Sequence, residues 1–231
     1  MTARGPALLV LAKAPEPGLV KTRLCPPLTP EQAADLAAAA LLDTLAAVTA
    51  VPGAEPVAVL TGDVDRASRR DALRAALAHV HVVAQRGENL GARILAAHLD
   101  SAALLPHRRT LQIGMDTPQV SAGLLADADA ALTARGVDAV LGLAPDGGWW
   151  ALGLRDPATA ALVAAVPTSL ADTGELTLAA LRDGGLRVAL LPELSDVDTV
   201  ADARGVAGAA PHTRFAAALA ALAVAGHSLV R

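Results

Sequence analysis

Three positively charged side chains follow the first apolar run of the chain and could neutralise phosphate groups. The run Ala7–Ala12 leads into a loop that carries Lys13, Lys21 and Arg23. In an open α/β sheet, ligands bind beyond the carboxyl ends of the strands. Lysine meets a phosphate as a point charge and arginine as a bidentate fork. The loop therefore predicts a site for a ligand with several negative charges, most simply a nucleotide di- or triphosphate. A surface turn with solvated charges is the alternative.

Carboxylates follow two later apolar runs and could hold a divalent cation. Asp116 comes directly after the run Thr110–Gly114, and Asp196 and Asp198 follow the run Leu186–Leu191. A cation held by such carboxylates can bridge phosphate oxygens. The alternatives are ordinary: Asp116 suits a turn or helix cap before a proline, and acidic residues favour helix N-termini.

Both tryptophans of this aromatic-poor chain lie beside one glycine-rich turn. The segment reads Asp146-Gly147-Gly148-Trp149-Trp150, and Asp-Gly-Gly favours a tight turn. Indole rings could line an acceptor pocket, and a hairpin turn with two core anchors is the alternative. A further polar loop with Gln85 and Gly87 follows the run Val80–Ala84 and could contact a base or ribose, or could simply join a strand to a helix.

Short apolar runs alternate with longer alanine- and leucine-rich segments, which predicts a mostly parallel sheet covered on both faces. The predicted strands are Ala7–Ala12, Pro56–Thr61, Val80–Ala84, Thr110–Gly114, Asp138–Leu143 and Leu186–Leu191. The predicted helices are Pro30–Val51, Val64–Ala78, Asn89–Leu105, Ser121–Arg135 and Glu175–Arg182, with a last helix near Thr213–Ala225. We expect one domain over residues 1–208 and a C-terminal helical appendage over residues 209–231, packed on the domain or at an oligomer contact.

The composition excludes some classes of protein. A net charge of −4 over 231 residues gives no basic field for nucleic acid. A single cysteine, Cys25, rules out an internal disulfide and fits a reducing cytoplasm. The apolar runs are too short or carry charges, so we expect no membrane span and no signal peptide. The apolar last helix makes a homodimer plausible.

Taken in order, the motifs resemble the bacterial DUF2064 proteins, also called the rSAM/selenodomain-associated transferase 1 family. The matching segments are Lys13-x-Pro15-x-Pro17-Gly18-x-Val20-Lys21-Thr22-Arg23-Leu24, Gln85-x-Gly87-x-x-Leu90-Gly91, Ile113-Gly114-x-Asp116-x-Pro118, Asp146-Gly147-Gly148 and Asp196-Val197-Asp198-Thr199. A more distant similarity joins the chain to phospholactate guanylyltransferases. Met115, Thr117 and Trp149 depart from the residues common in the family, which leaves the acceptor open.

The resemblance implies a GT-A-like, Rossmann-like α/β domain of the nucleotide-diphospho-sugar transferase superfamily. It implies a metal-dependent transferase with a nucleotide donor, either a glycosyltransferase or a nucleotidyltransferase that releases pyrophosphate; a non-catalytic nucleotide-binding protein is the third hypothesis. The expected partners are a nucleotide sugar or nucleoside triphosphate and a small-molecule acceptor.

Each candidate residue then has a predicted role. Lys21, Arg23 and Asp116 are the predicted catalytic residues, and Asp116 with Asp198, or in its place Asp196, would hold Mg²⁺ or Mn²⁺. The predicted nucleotide- and phosphate-binding residues are Ala12, Lys13, Gly18, Lys21, Thr22, Arg23, Gln85, Gly87 and Gly114. The predicted acceptor pocket comprises Asp146, Gly147, Gly148, Trp149 and Trp150.

Overall fold

A seven-stranded sheet forms the centre of the computed structural model, which describes residues 5–224. The strand order is β3-β2-β1-β4-β6-β5-β7, and β6 runs antiparallel to its neighbours β4 and β5 while the other pairs are parallel. The strands are β1 Ala7–Lys13, β2 Glu55–Thr61, β3 His81–Ala84, β4 Thr110–Gly114, β5 Ala139–Leu143, β6 Trp149–Leu154 and β7 Val188–Leu191. The predicted α/β class with a mostly parallel sheet is confirmed.

Helices cover both faces of the sheet. They are α1 Pro30–Thr49, α2 Arg70–Leu77, α3 Leu90–Leu104, α4 Ala122–Thr133, α5 Thr173–Asp183, α6 Val200–Ala209 and α7 Arg214–Val224. Side chains of α1, α2 and α4 pack with the first face, in a core that includes Leu41, Leu73 and Leu125. Side chains of α3 and α5 pack with the second face, in a core that includes Ile94 and Leu181.

The strand order reverses between β1 and β4, which are adjacent and parallel. The chain passes from β1 to β2 and β3 on one side, and resumes at β4 on the other. Loops that leave the carboxyl ends of β1 and β4 therefore diverge, and an open α/β sheet has its ligand crevice at such a point.

Two sequence predictions need correction. The segment Trp149–Leu154 is a strand, although it was not among the predicted ones. The predicted helix Val64–Ala78 is divided into a 3-10 turn, Val64–Arg66, and α2. The division falls beside Arg69, which has a left-handed backbone (φ 54°) and donates two hydrogen bonds of 2.7 Å to Asp35 of α1.

Helix α1 is buried between the sheet and the C-terminal helices. Its N-terminus carries the predicted capping box, in which Thr29 and Gln32 exchange hydrogen bonds. Its length and composition would suit a membrane span, but 78% of the relevant window is buried inside the fold. Buried alanines at 33, 34 and 37–40 let neighbouring elements approach its axis closely. We conclude that α1 is the core helix of the domain.

The C-terminal helix α7 is anchored on α1. Phe215 and Leu219 pack with Leu36 and other side chains of α1. The predicted boundary between a domain of residues 1–208 and an appendage of residues 209–231 stays a prediction, as does an oligomer contact there. Residues 1–4 and 225–231 of those predicted ranges lie outside the described residues.

The nearly buried Asp43 of α1 should determine how firmly α7 is held. Its carboxylate accepts hydrogen bonds from the backbone N–H groups of Arg214 (3.1 Å) and Phe215 (2.9 Å), the first residues of α7. We expect Asp43→Ala to lower the free energy of unfolding by about 1–3 kcal/mol, because it leaves these donors unpaired. Urea unfolding measures this change. Asp127→Ala, at an exposed position of α4, is the control, and equal midpoints for the two variants would contradict the assignment.

Candidate active site

A cleft of ≈ 810 Å³ opens at the carboxyl edge of the sheet, where β1 and β4 diverge. Its lining combines several carboxylates with an arginine and a set of apolar side chains. The lining residues are Leu11, Arg23, Leu90, Ile94, Gln112, Gly114, Met115, Asp116, Pro145, Asp146, Gly148, Trp149, Thr168, Ser169, Leu170, Ala171, Thr173, Ser195, Asp196, Asp198, Thr199 and Asp202. Arg23 and the predicted carboxylates of Asp116, Asp196 and Asp198 therefore meet at one edge of the sheet.

The ammonium group of Lys21 lies between two carboxylates at the wall of this cleft. Its Nζ is 2.6 Å from Oδ2 of Asp116 and 2.9 Å from Oδ1 of Asp198. The other oxygen of Asp198 accepts a 2.8 Å hydrogen bond from Nη1 of Arg23. Lys21 is largely buried, with 13% of its side chain exposed, whereas the Arg23 side chain is 72% exposed. Lys21 thus joins the loop after β1 to the end of β4 and to the segment before α6.

A buried glutamate anchors the loop after β1 to the segment that follows β2. Glu16 is 5% exposed and accepts a 3.0 Å hydrogen bond from the backbone of Asp63. Val20 packs against α1 and Met115. Lys21 itself has a left-handed backbone (φ 46°), which is uncommon for a residue with a side chain. The local backbone therefore directs Lys21 towards Asp116.

The charges in this group shift one another's pKa values. Burial alone would lower the pKa of Lys21, but the charges and hydrogen bonds of Asp116 and Asp198 outweigh it and raise that pKa. Burial would raise the pKa of Asp198, but Lys21 and Arg23 lower it below the ordinary value. Burial, with the charges of Asp116 and Asp198, raises the pKa of Asp196 to about 6, and the charge of Lys21 opposes this rise without cancelling it. The charged form of Asp198 is therefore stabilised, whereas Asp196 is destabilised as an anion.

The same carboxylates fit a hard divalent cation. One oxygen each from Asp116, Asp196 and Asp198 lies within 4.8 Å of the others. Oxygen donors of this kind suit Mg²⁺ and Mn²⁺. The Lys21 ammonium donates hydrogen bonds to two of these three carboxylates. It would therefore have to move away from them when a metal cation binds.

The turn between β5 and β6 forms the other end of the cleft, and its conformation requires glycine. Gly147 has φ +88°, and a Cβ there would lie 1.7 Å from the carbonyl oxygen of Ala171. The carbonyl of Gly147 accepts a 2.7 Å hydrogen bond from Gly174. The turn is thereby bonded to the first turn of α5 and packs closely against Ala171 of the segment Thr168–Ala171, which borders the cleft with it.

The two tryptophans differ in their surroundings. Trp149 is half-buried and lines the cleft. Trp150 is 3% exposed, packs in the first-face core and donates a 2.9 Å hydrogen bond to the carbonyl of Pro192. The prediction that places Trp150 in the acceptor pocket therefore needs correction. Trp150 points to the opposite face of β6 from Trp149, because side chains alternate along a strand.

Several predicted binding residues lie outside the cleft lining. Lys13 donates its Nζ hydrogen bond to the carbonyl of Leu19 (2.9 Å), and Gln85 donates through Nε2 to the carbonyls of Ala12 (2.6 Å) and Val59. The remaining predicted residues that do not line the cleft are Ala12, Gly18, Lys21, Thr22, Gly87, Gly147 and Trp150. The side chains of Lys13 and Gln85 support the loops instead, and their ligand contacts stay a prediction.

Sequence reasoning missed the inner part of the cleft. Leu90 and Ile94 lie one turn apart on α3, and Gln112 lies on β4. A signal existed for Gln112, because it is a polar residue within an otherwise apolar strand. The segment Thr168–Ala171 gave no signal, because nothing local in its sequence indicates which surface it covers.

The fold agrees with that of several solved structures. A proposed nucleotide-diphospho-sugar transferase from Desulfovibrio desulfuricans has 28% sequence identity and a TM-score of 0.82, with 96% of each chain covered. A 4-diphosphocytidyl-2C-methyl-D-erythritol synthase from Anaerococcus prevotii has 15% identity and a TM-score of 0.57, covering 94% of this chain and 96% of that one. A cytidylyltransferase from Leptospira borgpetersenii has 12% identity and a TM-score of 0.56, covering 98% and 97%. The last two similarities show the fold alone.

The similarity to the D. desulfuricans relative confirms the predicted enzyme class, a transferase. A search of curated proteins finds no match. The family profile described as "Uncharacterized protein conserved in bacteria (DUF2064)" matches residues 44–170. The chain belongs to this family, as its motifs predicted.

The two tryptophans provide a matched pair of variants. We expect Trp150→Phe to lower the unfolding midpoint by several degrees, because it removes a buried hydrogen bond and leaves a void. We expect Trp149→Phe to change the midpoint little, because this indole is half-exposed. Thermal unfolding of both variants measures the difference.

Fluorescence supplies the second half of the same test. The chain has two tryptophans, so Trp150→Phe leaves the cleft residue as the single indole reporter. We expect iodide to quench this variant more strongly than Trp149→Phe. Equal quenching would show that Trp149 does not face an open cleft.

Proposed function

We propose that the chain is a metal-dependent transferase that moves a glycosyl group from a nucleotide-diphosphate sugar to a small-molecule acceptor. The D. desulfuricans relative, at 28% identity over 96% of both chains, supports the glycosyl donor. The cleft beside β1 and β4 supports a ligand long enough to extend from the carboxylates to Trp149.

The charge balance of the cleft is the observation that carries the metal dependence. The lining contains the carboxylates of Asp116, Asp146, Asp196, Asp198 and Asp202. Arg23 lines the same cleft, and Lys21 contacts its wall. Carboxylates thus outnumber cationic side chains, and a diphosphate would be repelled without an added cation. Asp116, Asp198 and Asp196 are the ligands we assign to Mg²⁺ or Mn²⁺.

The bound cation would supply charge neutralisation to the diphosphate that leaves. Lys21, released from its two carboxylates, and Arg23 would hydrogen-bond the phosphate oxygens as negative charge grows on them. Trp149 would orient the acceptor. An acceptor hydroxyl oxygen would bond to the anomeric carbon as the bond from that carbon to the diphosphate breaks. The exposed Asp146 carboxylate would take the hydroxyl proton.

Nucleotidyl transfer is the second candidate, and the loop after β1 favours it. Cations that follow the first strand suit the phosphates of a nucleoside triphosphate. Lys13, however, bonds to the loop's own carbonyl, so Lys21 and Arg23 are the predicted cations that contact the cleft carboxylates. Two cations suit a diphosphate better than a triphosphate, and we therefore rank glycosyl transfer first. Release of a nucleoside diphosphate or of pyrophosphate distinguishes the reactions.

We place the enzyme in the cytoplasm, with small-molecule partners and no nucleic acid or membrane partner. The single cysteine and the net charge of −4 support this proposal. A homodimer through the C-terminal helix is part of the same proposal.

Asp116→Asn tests the metal site. We expect Mn²⁺ affinity, measured by electron paramagnetic resonance with a nucleoside diphosphate present, to fall by roughly 100-fold or more, because a charged ligand becomes neutral. Transfer activity should fall with it, while the unfolding midpoint stays within a few degrees.

Asp127→Asn, an exposed aspartate of α4, is the matched control for the loss of one carboxylate. If Asp116→Asn kept full Mn²⁺ affinity, the metal site would be wrongly assigned. If nucleotides bound equally well with and without Mn²⁺ and no product formed, the non-catalytic hypothesis would replace the enzyme.

Lys21→Met separates the two tasks of the lysine. Without nucleotide, we expect the variant to bind Mn²⁺ about tenfold more tightly than the wild type, because the competing ammonium is gone (~1.4 kcal/mol). With nucleotide, we expect the Mn²⁺ complex to bind more weakly, because a phosphate contact is lost. Calorimetric titration with Mn²⁺ and with the Mn²⁺–nucleotide complex measures both.

Lys13→Met is the control, because its Nζ bonds to Leu19 rather than to a carboxylate. We expect it to leave Mn²⁺ binding unchanged. Weaker Mn²⁺ binding by Lys21→Met in the absence of nucleotide would show that the lysine assembles the site rather than competing for it.

A further inference from the structure

Gln112 is a buried polar residue that the proposed chemistry does not use. It lies in the middle of β4, is 2% exposed and borders the cleft. Its Oε1 has no hydrogen-bond partner among residues 5–224. A buried amide oxygen without a partner is energetically unfavourable, and such a group in a native protein calls for an explanation.

Three aliphatic side chains line the cleft together with Gln112, and we call this group of four residues the inner pocket. They are Leu11 of β1, the strand next to β4, and Leu90 and Ile94 of α3. Gly114 follows Gln112 on the same face of β4, since side chains alternate along a strand. Because Gly114 has no side chain, Gln112 is the first β4 side chain on that face below the carboxylates.

We propose that Gln112 is a specificity-determining residue that reads the hydrogen-bonding edge of the donor's nucleobase in the inner pocket. This inference rests on the proposed function, and it assigns the part of the donor that the carboxylates do not hold. A glutamine amide presents a donor and an acceptor side by side, which matches the paired donor and acceptor on a base edge.

The chemistry of the walls favours a base over a sugar. A nucleobase has two apolar faces, which suit leucine and isoleucine side chains, and a polar edge, which needs an amide. A sugar ring carries hydroxyl groups around it, and each would need a partner when buried. The inner pocket offers one amide among three aliphatic side chains.

The spacing along β4 also suits a nucleotide. Gln112 and Asp116 are four residues apart, which corresponds to at most about 13 Å at the rise of a strand. A nucleoside diphosphate spans a comparable length from base edge to second phosphate. The amide of Gln85, the other candidate for reading a base, already donates to Ala12 and Val59 and lies outside the cleft lining.

Calorimetric titration of Mn²⁺ complexes tests the assignment. The probes are ADP, GDP, CDP and UDP, with Mn²⁺–pyrophosphate as the probe without a base. We expect the wild type to prefer at least one base by tenfold or more. We expect Gln112→Leu to lose that preference through weaker binding of the preferred base, and to bind Mn²⁺–pyrophosphate unchanged.

Controls separate base recognition from a structural role. Thr110→Val alters the same face of β4 at a hydroxyl that pairs with His98, away from the cleft, and should keep the base preference. The unfolding midpoint of Gln112→Leu should not fall, because its Oε1 has no partner to lose. If Gln112→Leu does not fold, the same titrations are made with Gln112→Met, whose side chain is unbranched and similar in length to glutamine.

Several outcomes would overturn the inference. An unchanged base preference in Gln112→Leu, with or without a lower midpoint, would assign the residue to the core alone. Weaker binding of nucleotide sugars with unchanged binding of the four diphosphates would place the glycosyl ring in the inner pocket. If the wild type bound pyrophosphate but showed no base preference, this inference would fail and the metal site would stand. If it bound none of the Mn²⁺ complexes, the proposed function itself would fail.

Discussion

The Lys21 ammonium holds together three parts of the chain that are far apart in sequence. It bonds to Asp116 at the end of β4 and to Asp198 before α6, while its own loop leaves β1. Carboxylate oxygens gathered within 4.8 Å would otherwise repel one another. The backbone adds to this junction, since Val197 donates a hydrogen bond to the carbonyl of Asp116. One positive charge placed among negative ones thus offsets their mutual repulsion at this edge of the sheet.

The sheet explains why these groups meet. Because β1 and β4 are parallel neighbours and their loops diverge, residues from both ends face a common opening. The antiparallel hairpin β5–β6 then brings Asp146 and Trp149 to the same edge from the other direction. The segment Thr168–Ala171, joined to that hairpin at Gly147, completes the border. Because of this strand order, residues that are far apart in the sequence, from Leu11 to Asp202, line one cleft.

The sequence was sufficient to predict the α/β class, the sheet edge and the gathering of Lys21, Arg23, Asp116, Asp196 and Asp198, because apolar runs followed by charges locate strand ends. It could not show that Lys13 would bond to Leu19 or that Gln85 would support Ala12, since such pairings depend on tertiary geometry. Strand β6 was missed because glycines and tryptophans favoured a loop with a pocket wall. The assignment of Trp150 was wrong for the same reason: alternation places it in the core only once the strand is known.

The buried alanines of helix α1 pack against the sheet on one side of the helix and against the C-terminal helices on another. Larger side chains at these positions would push apart elements that touch almost at the helix axis. The exposed side chains of the cleft have no such restriction, because they border open space. Sequence change in relatives of this fold should therefore be uneven: the alanine positions of α1 favour small residues, whereas the exposed lining of the cleft is freer to vary. New donor or acceptor preferences can arise there without disturbing the framework that holds the carboxylates.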